Sequence, residues 1–224
     1  MEQPHPTPAT QLDGPRLAPL AGAPAKSLVV FLHGYGADGN DLIDIGRMWA
    51  PALPDTAFVS PHAPEPCGEV PIGRQWFPLA RTDPHLLRQG VLLAAPALDG
   101  FLDAELAALG LADDRLALVG FSQGTMMALH VGPRRKKRIA GIVGYSGLLS
   151  GPENLTTELR HRPPVLLVHG DADPVIPVMA LTAASRALIE AGFEVDAHVQ
   201  PGLQHGIDHH GLTLGVEFLR RVLA

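Results

Sequence analysis

The chain has 224 residues and a net charge of −6, with 46% hydrophobic and 18% charged residues. That length fits one domain with its own core, and that composition excludes wholesale disorder. The acidic balance argues against non-specific nucleic-acid binding, the single cysteine, Cys67, excludes an intrachain disulfide, and no apolar run approaches the roughly 18 residues of a membrane span.

Met1-Glu2-Gln3-Pro4 lacks the charged and apolar regions of a secretory signal, so a reducing cytoplasm is expected. Residues 1–24 read as a proline-rich arm, carrying Pro4, Pro6, Pro8, Pro15, Pro19 and Pro24. Loose pairing with a sheet is expected around Leu17 to Leu20. Residues 25–224 read as a single domain. Ser27 to His33 is a short apolar run, as in a buried parallel strand. Asn40 or Asp41 is positioned to cap a helix bearing Leu42, Ile43, Ile45 and Trp49. A strand over 57–60 precedes a long, proline-rich loop over 61–85.

A helix is predicted over 87–109, broken or restarted at Pro96. Strands follow at 115–121, 139–145, 165–169 and 194–199, with helices at 123–131, 178–191 and 207–223. Gly132-Pro133 is expected to stop the first of these helices. Strands alternating with helices predict an α/β domain built on a mostly parallel sheet, with helices on both faces. The basic run Arg134-Arg135-Lys136-Lys137-Arg138 reads as a solvated loop rather than an anion site.

Gly120-Phe121-Ser122-Gln123-Gly124 matches G-x-S-x-G between a strand and a helix. That context makes it a nucleophile elbow, a tight turn that lifts a serine above the sheet edge. Small residues at 120 and 124 let the chain cross itself closely, and the new helix aims free N–H groups at the site. Ser146, in Gly144-Tyr145-Ser146-Gly147-Leu148, lacks the second glycine and competes poorly.

A serine nucleophile needs a histidine base, and the histidine needs a carboxylate to fix its tautomer. In this architecture those groups follow the serine along the chain, the acid before the histidine. Gly170-Asp171-Ala172-Asp173-Pro174 ends a strand on the edge where Ser122 lies. Asp173 is preferred and Asp171 is the alternative, with turn capping as its other reading. Of eleven histidines, His205 follows the last strand and precedes the last helix. His205 and His209 share the spacing of a zinc helix, but Gly206 stands where that motif needs glutamate. No metal or other cofactor is therefore expected. The loop His33 to Asn40 is glycine-rich, and backbone N–H groups of Tyr35 and Gln123 are the expected oxyanion donors.

Six segments in this order, HGYGADGNDL (33–42), GRQWFPL (73–79), GFSQG (120–124), GYSGLL (144–149), HGDADPVIP (169–177) and GLQHGI (202–207), resemble the small carboxylesterase, lysophospholipase and acyl-protein thioesterase branch of the α/β-hydrolase family. The resemblance runs from about residue 25 to the C-terminus. It implies an α/β-hydrolase fold without a cap domain and Ser122, Asp173 and His205 as the triad. It also implies Tyr35 and Gln123 as the oxyanion hole, and Trp76, Leu148 and Ile176 near the acyl pocket. The chain departs from the thioesterases at Leu148, where they carry a bulky aromatic, and in the loop at 61–78 with Cys67 and Gly68.

The expected activity is hydrolysis of small or single-chain acyl esters through an acyl-enzyme. The alternatives are thioester hydrolysis by the same triad, or a non-catalytic binding module on the same fold. The expected partner is a small acyl ester, with no nucleic acid and no stable membrane insertion; relatives often pair as dimers, so a homodimer is a further expectation. With only the 61–78 loop and the neighbourhood of Leu148 as cover, a shallow, open site is expected.

Overall fold

The computed structural model describes residues 12–22, 24–68, 70, 72–79 and 83–224. Its centre is a seven-stranded sheet in the order β1-β3-β2-β6-β7-β8-β9. These strands are β1 (Arg16–Leu17), β2 (Ser27–Leu32), β3 (Thr56–Val59), β6 (Leu116–Phe121), β7 (Gly141–Tyr145), β8 (Val165–Gly170) and β9 (Val195–Gln200). Every pairing is parallel except β1 against β3. The two-residue strand β1 is a part of the proline-rich arm that joins the sheet, and residues 1–11 and 23 of that arm lie outside the described residues. A small separate hairpin joins β4 (Glu65–Pro66) to β5 (Arg74–Gln75) inside the long loop.

The central strands are almost wholly buried and mostly apolar because both faces are covered. Side chains alternate across the sheet. Leu28, Val30 and Leu32 face one core, with Leu116 and Leu118, while Val29 and Phe31 face the other, with Val119 and Val143. The first core is closed by α2 (Pro84–Leu109), α3 (Gln123–Arg134) and α5 (Met179–Glu190), the second by α1 (Gly39–Trp49) and α6 (His209–Val222). The short α4 (Leu155–Glu158) lies between β7 and β8.

The helix boundaries differ from the expected ones for local reasons. Asp38, not Asn40 or Asp41, caps α1, accepting from the Asn40 N–H at 2.8 Å. In α2, Asp83 caps and Pro84 takes the first turn, where its missing N–H costs nothing. Pro96 does not break α2. It lies on the exposed face, so the Leu92 carbonyl it leaves unpaired can turn to water, while Val91, Ala94, Leu98 and Leu102 anchor the helix to the core on both sides. Pro133 likewise lies inside the last turn of α3, which runs on to Arg134.

The basic run after α3 is only partly a solvated loop. Arg134 pairs with Glu158 at 2.8 Å. Arg135 is buried and reaches Asp99, Asp103 and Asp113 at 2.6–2.7 Å, tying α3 to α2. Lys136, Lys137 and Arg138 are exposed.

Candidate active site

The strand β6 ends at Phe121, and α3 begins at Gln123. Ser122 makes the turn with φ 52° and ψ −114°, in the region that favours glycine. The crossing is tight enough to demand glycine on either side. A Cβ on Gly120 would strike the Gly124 backbone, and one on Gly124 would overlap the Leu32 carbonyl oxygen. The elbow is pinned to β7: the Ser122 N–H donates to Tyr145 O at 2.9 Å, and Thr125 Oγ1 lies 2.8 Å from Gly120 O and 2.9 Å from Tyr145 O. Gln123 opens the helix, where a backbone N–H has no intrahelical acceptor.

Asp173 and His205 come together from the loops after β8 and β9. His205 Nδ1 lies 2.7 Å from Asp173 Oδ2. Asp173 Oδ1 accepts from the Val175 and Ile176 N–H groups at 2.8 and 2.9 Å. The buried His169 adds its Nε2 at 3.2 Å from the same Oδ2, while also facing Ile176 O at 2.8 Å. Burial pulls the Asp173 pKa up, but the donors from His205, Ile176 and Val175 outweigh it and hold the carboxyl below the ordinary aspartate value. The Asp173 side chain is therefore an ionised, fully enclosed acceptor. Asp171 instead takes the turn-capping place: its Oδ1 accepts from Gly202 N–H at 2.6 Å on the surface. The His205 ring packs 5.0 Å from the ring of Phe121, the residue before Ser122. His209 starts α6 and is exposed.

The glycine-rich loop sits against the elbow. A Cβ on Gly34 would lie 3.1 Å from the Phe121 ring and 3.3 Å from Ser122 Cβ, which places Tyr35 one residue from that contact. The loop is held rigidly. Gly36 N–H donates to Arg74 O at 2.9 Å and Arg74 N–H to Ala37 O at 2.8 Å, joining it to the β4–β5 hairpin. His33 accepts the Ala63 N–H at Nε2, so Nδ1 carries the proton and donates to Gly34 O. Burial lowers the His33 pKa to about 4, which keeps the ring neutral in this role.

The side chain of Gln123 has a part that sequence reasoning missed. It is fully buried, accepts from Trp76 N–H at 2.9 Å and donates to Phe77 O at 2.8 Å. It thereby clamps the GRQWFPL segment onto the elbow as a neighbouring strand would. Trp76 itself is buried behind the glycine-rich loop, with its indole N–H donating to His33 O at 3.0 Å. It is not among the residues that line the cavity at Ser122, and its own contacts support the loop.

That cavity has a volume of about 420 Å³. Leu148 and Ile176 line it together with Ser122, Leu79, Met126 and Met179. Leu87, Leu148, Ala180 and Ala183 also line a second cavity of about 540 Å³, so the two adjoin along a mostly apolar groove between the start of α2, the loop after β7 and α5. The site is an open groove. Helices α2 and α5 and the loop after β7 wall it, while Arg74 of the long loop bonds to the Gly36–Ala37 turn.

Comparison with known proteins agrees with this fold. The family model described as phospholipase/carboxylesterase matches residues 20–223. An esterase of Escherichia coli, YpfH, is 30% identical over 198 residues, covering 88% of this chain and 83% of its own. Acyl-protein thioesterase 1 of Schizosaccharomyces pombe is 32% identical over 190 residues, covering 76% and 82%. The crystal structure of esterase PE8 superposes with a TM-score of 0.92 at 46% identity, over 95% of this chain and 100% of that one.

Proposed function

The chain belongs to the phospholipase/carboxylesterase family of serine hydrolases acting on carboxylic esters, and on that premise we propose that Ser122, His205 and Asp173 form its catalytic triad. The observation that carries the reading is the 2.7 Å His205–Asp173 pair packed beside the strained Ser122 turn. Asp173 holds the Nδ1–H tautomer, which leaves His205 Nε2 unprotonated as a base. His205 takes the Ser122 hydroxyl proton as Oγ attacks the acyl carbonyl. The carbonyl electron pair moves onto oxygen, where the N–H groups of Tyr35 and Gln123 receive it. Collapse breaks the acyl–oxygen bond, and His205 returns the proton to the leaving alcohol. Water then gives a proton to His205, attacks the acyl-enzyme and releases the acid, restoring Ser122.

The apolar groove supports single-chain acyl esters, lysophospholipids among them, with the chain lying along Leu148, Ile176 and Met126. A second reading, thioester hydrolysis by the same triad, is favoured by the similarity to acyl-protein thioesterase 1. A single cysteine fits work in the reducing cytoplasm. Rates across acyl lengths, measured with matched oxoester and thioester leaving groups, test the assignment. Turnover of both, lost in Ser122→Ala, supports it. Turnover that survives in folded Ser122→Ala overturns the triad, and no turnover of any ester by wild type points to a binding module.

A further inference from the structure

We propose that Ser146 is a positioning residue that holds the His205 loop in register with Ser122, an inference that rests on the triad reading above. Ser146 follows the last residue of β7, and β6 and β7 pair with Phe121 opposite Tyr145. Ser122 and Ser146 therefore stand side by side at the ends of adjacent strands. Among the described residues these two are the non-glycine residues with positive φ, at 52° and 46°. The β7 end is a second elbow, built beside the first.

The turn at Ser146 is crowded from below by Thr125. A Cβ on Gly144 or Gly147 would strike the Thr125 side chain, which is why glycine occupies both positions. A glycine at 146 would relieve the backbone strain as well. The chain keeps a serine there, fully buried, and its hydroxyl donates to Gly206 O at 3.1 Å. Its own N–H donates to Val168 O at 2.9 Å, so Ser146 is fixed to β8 while its side chain reaches the loop after β9.

Gly206 is the residue next to His205. The Asp173 contact fixes one edge of the imidazole and Phe121 packs beside it, but the ring still moves with its backbone. The start of the loop is tied at Leu203, whose carbonyl accepts from Ala172 N–H at 3.1 Å, and the loop re-enters helix at Asp208. Between those points the main chain is fastened by the Ser146 hydroxyl. Without it, Gly206 O loses its partner and the loop gains freedom where a displacement of about 1 Å costs on the order of a hundredfold in rate. Ser146 lines neither part of the groove, so substrate binding is not its contribution.

The experiment compares Ser146→Ala, which keeps the strain without the hydroxyl, with Ser146→Gly, which removes both. The expected result is a fall in kcat of about ten- to a hundredfold in both variants, with KM within about twofold, and a parallel fall in the rate of fluorophosphonate labelling of Ser122. The low-field Nδ1 proton signal of His205 should broaden or move upfield in both. Ser146→Gly is the variant expected to fold at least as well as wild type. Wild-type kcat and an unchanged His205 signal in folded Ser146→Gly would overturn the proposal, even if Ser146→Ala melts at a lower temperature. Ser122→Ala, run alongside, separates the two readings. If it is inactive while the Ser146 variants match wild type, only the role of Ser146 fails. A fluorophosphonate adduct on Ser146 itself would overturn both.

Discussion

His205 Nδ1 lies 2.7 Å from Asp173 Oδ2, joining loops that follow two neighbouring parallel strands. The carboxylate has no proton to give, so the imidazole must donate at Nδ1 and present a bare Nε2. Asp173→Asn keeps an acceptor for Val175 and Ile176 but allows an amide N–H to face His205, which would favour the wrong tautomer. The variant should fold like wild type and lose kcat by on the order of 10³–10⁴-fold. Steady-state kinetics with a short p-nitrophenyl ester, beside a thermal melt, would show whether the loss is chemical or structural.

The groove makes a prediction about selectivity. Leu148 lines both of its halves, so Leu148→Trp should obstruct passage from the part beside Ser122 to the part beside His85. Relative kcat/KM for a long-chain ester against an acetate ester should fall by about tenfold or more, with the acetate rate held within about twofold. Equal losses on both substrates would place the acyl chain elsewhere.

Acid should destabilise the fold through two buried histidines. Burial lowers the pKa of His33 and of His130 from the ordinary 6.5 to about 4, with the positive charge of Arg134 adding to the effect at His130. Arg88 acts in the same direction there, and Glu158 opposes it. Each ring binds its proton more weakly folded than unfolded. Their contribution to stability is therefore complete above about pH 6.5 and is lost as pH falls toward about 4. Melting temperature should drop between about pH 7 and about pH 4.5, and His130→Leu should flatten that dependence. Asp173 titrates below the ordinary 3.8 and leaves this window undisturbed.

Gly124→Ala tests the crossing beneath the nucleophile. The added methyl would overlap the Leu32 carbonyl oxygen, a backbone atom in the central sheet that cannot turn aside. A loss of stability of about 1–3 kcal/mol is expected, measured by urea unfolding, together with reduced activity in the protein that does fold.

Much of this was legible in the sequence because it is local. Strand, turn and helix around Ser122 are written in five consecutive residues, and Asp173 and His205 follow strands that end on the same sheet edge. Pro96 misleads because a proline's cost depends on whether the freed carbonyl meets water, which sequence periodicity does not reveal. The Gln123 clamp and the make-up of the groove are hidden for a different reason. They depend on Gln123 clamping a loop 46–47 residues away and on Leu87 of α2 lining the same cavity as Ala180 and Ala183 of α5. Such juxtapositions are made by tertiary packing, and no local pattern carries them.

Fluorophosphonate labelling of the wild-type protein, with the modified peptide located by mass spectrometry, tests the triad most directly. One adduct on Ser122, absent from a folded Ser122→Ala variant that no longer turns over ester, is the predicted result. An adduct on another residue, or ester hydrolysis that persists in Ser122→Ala, would contradict it.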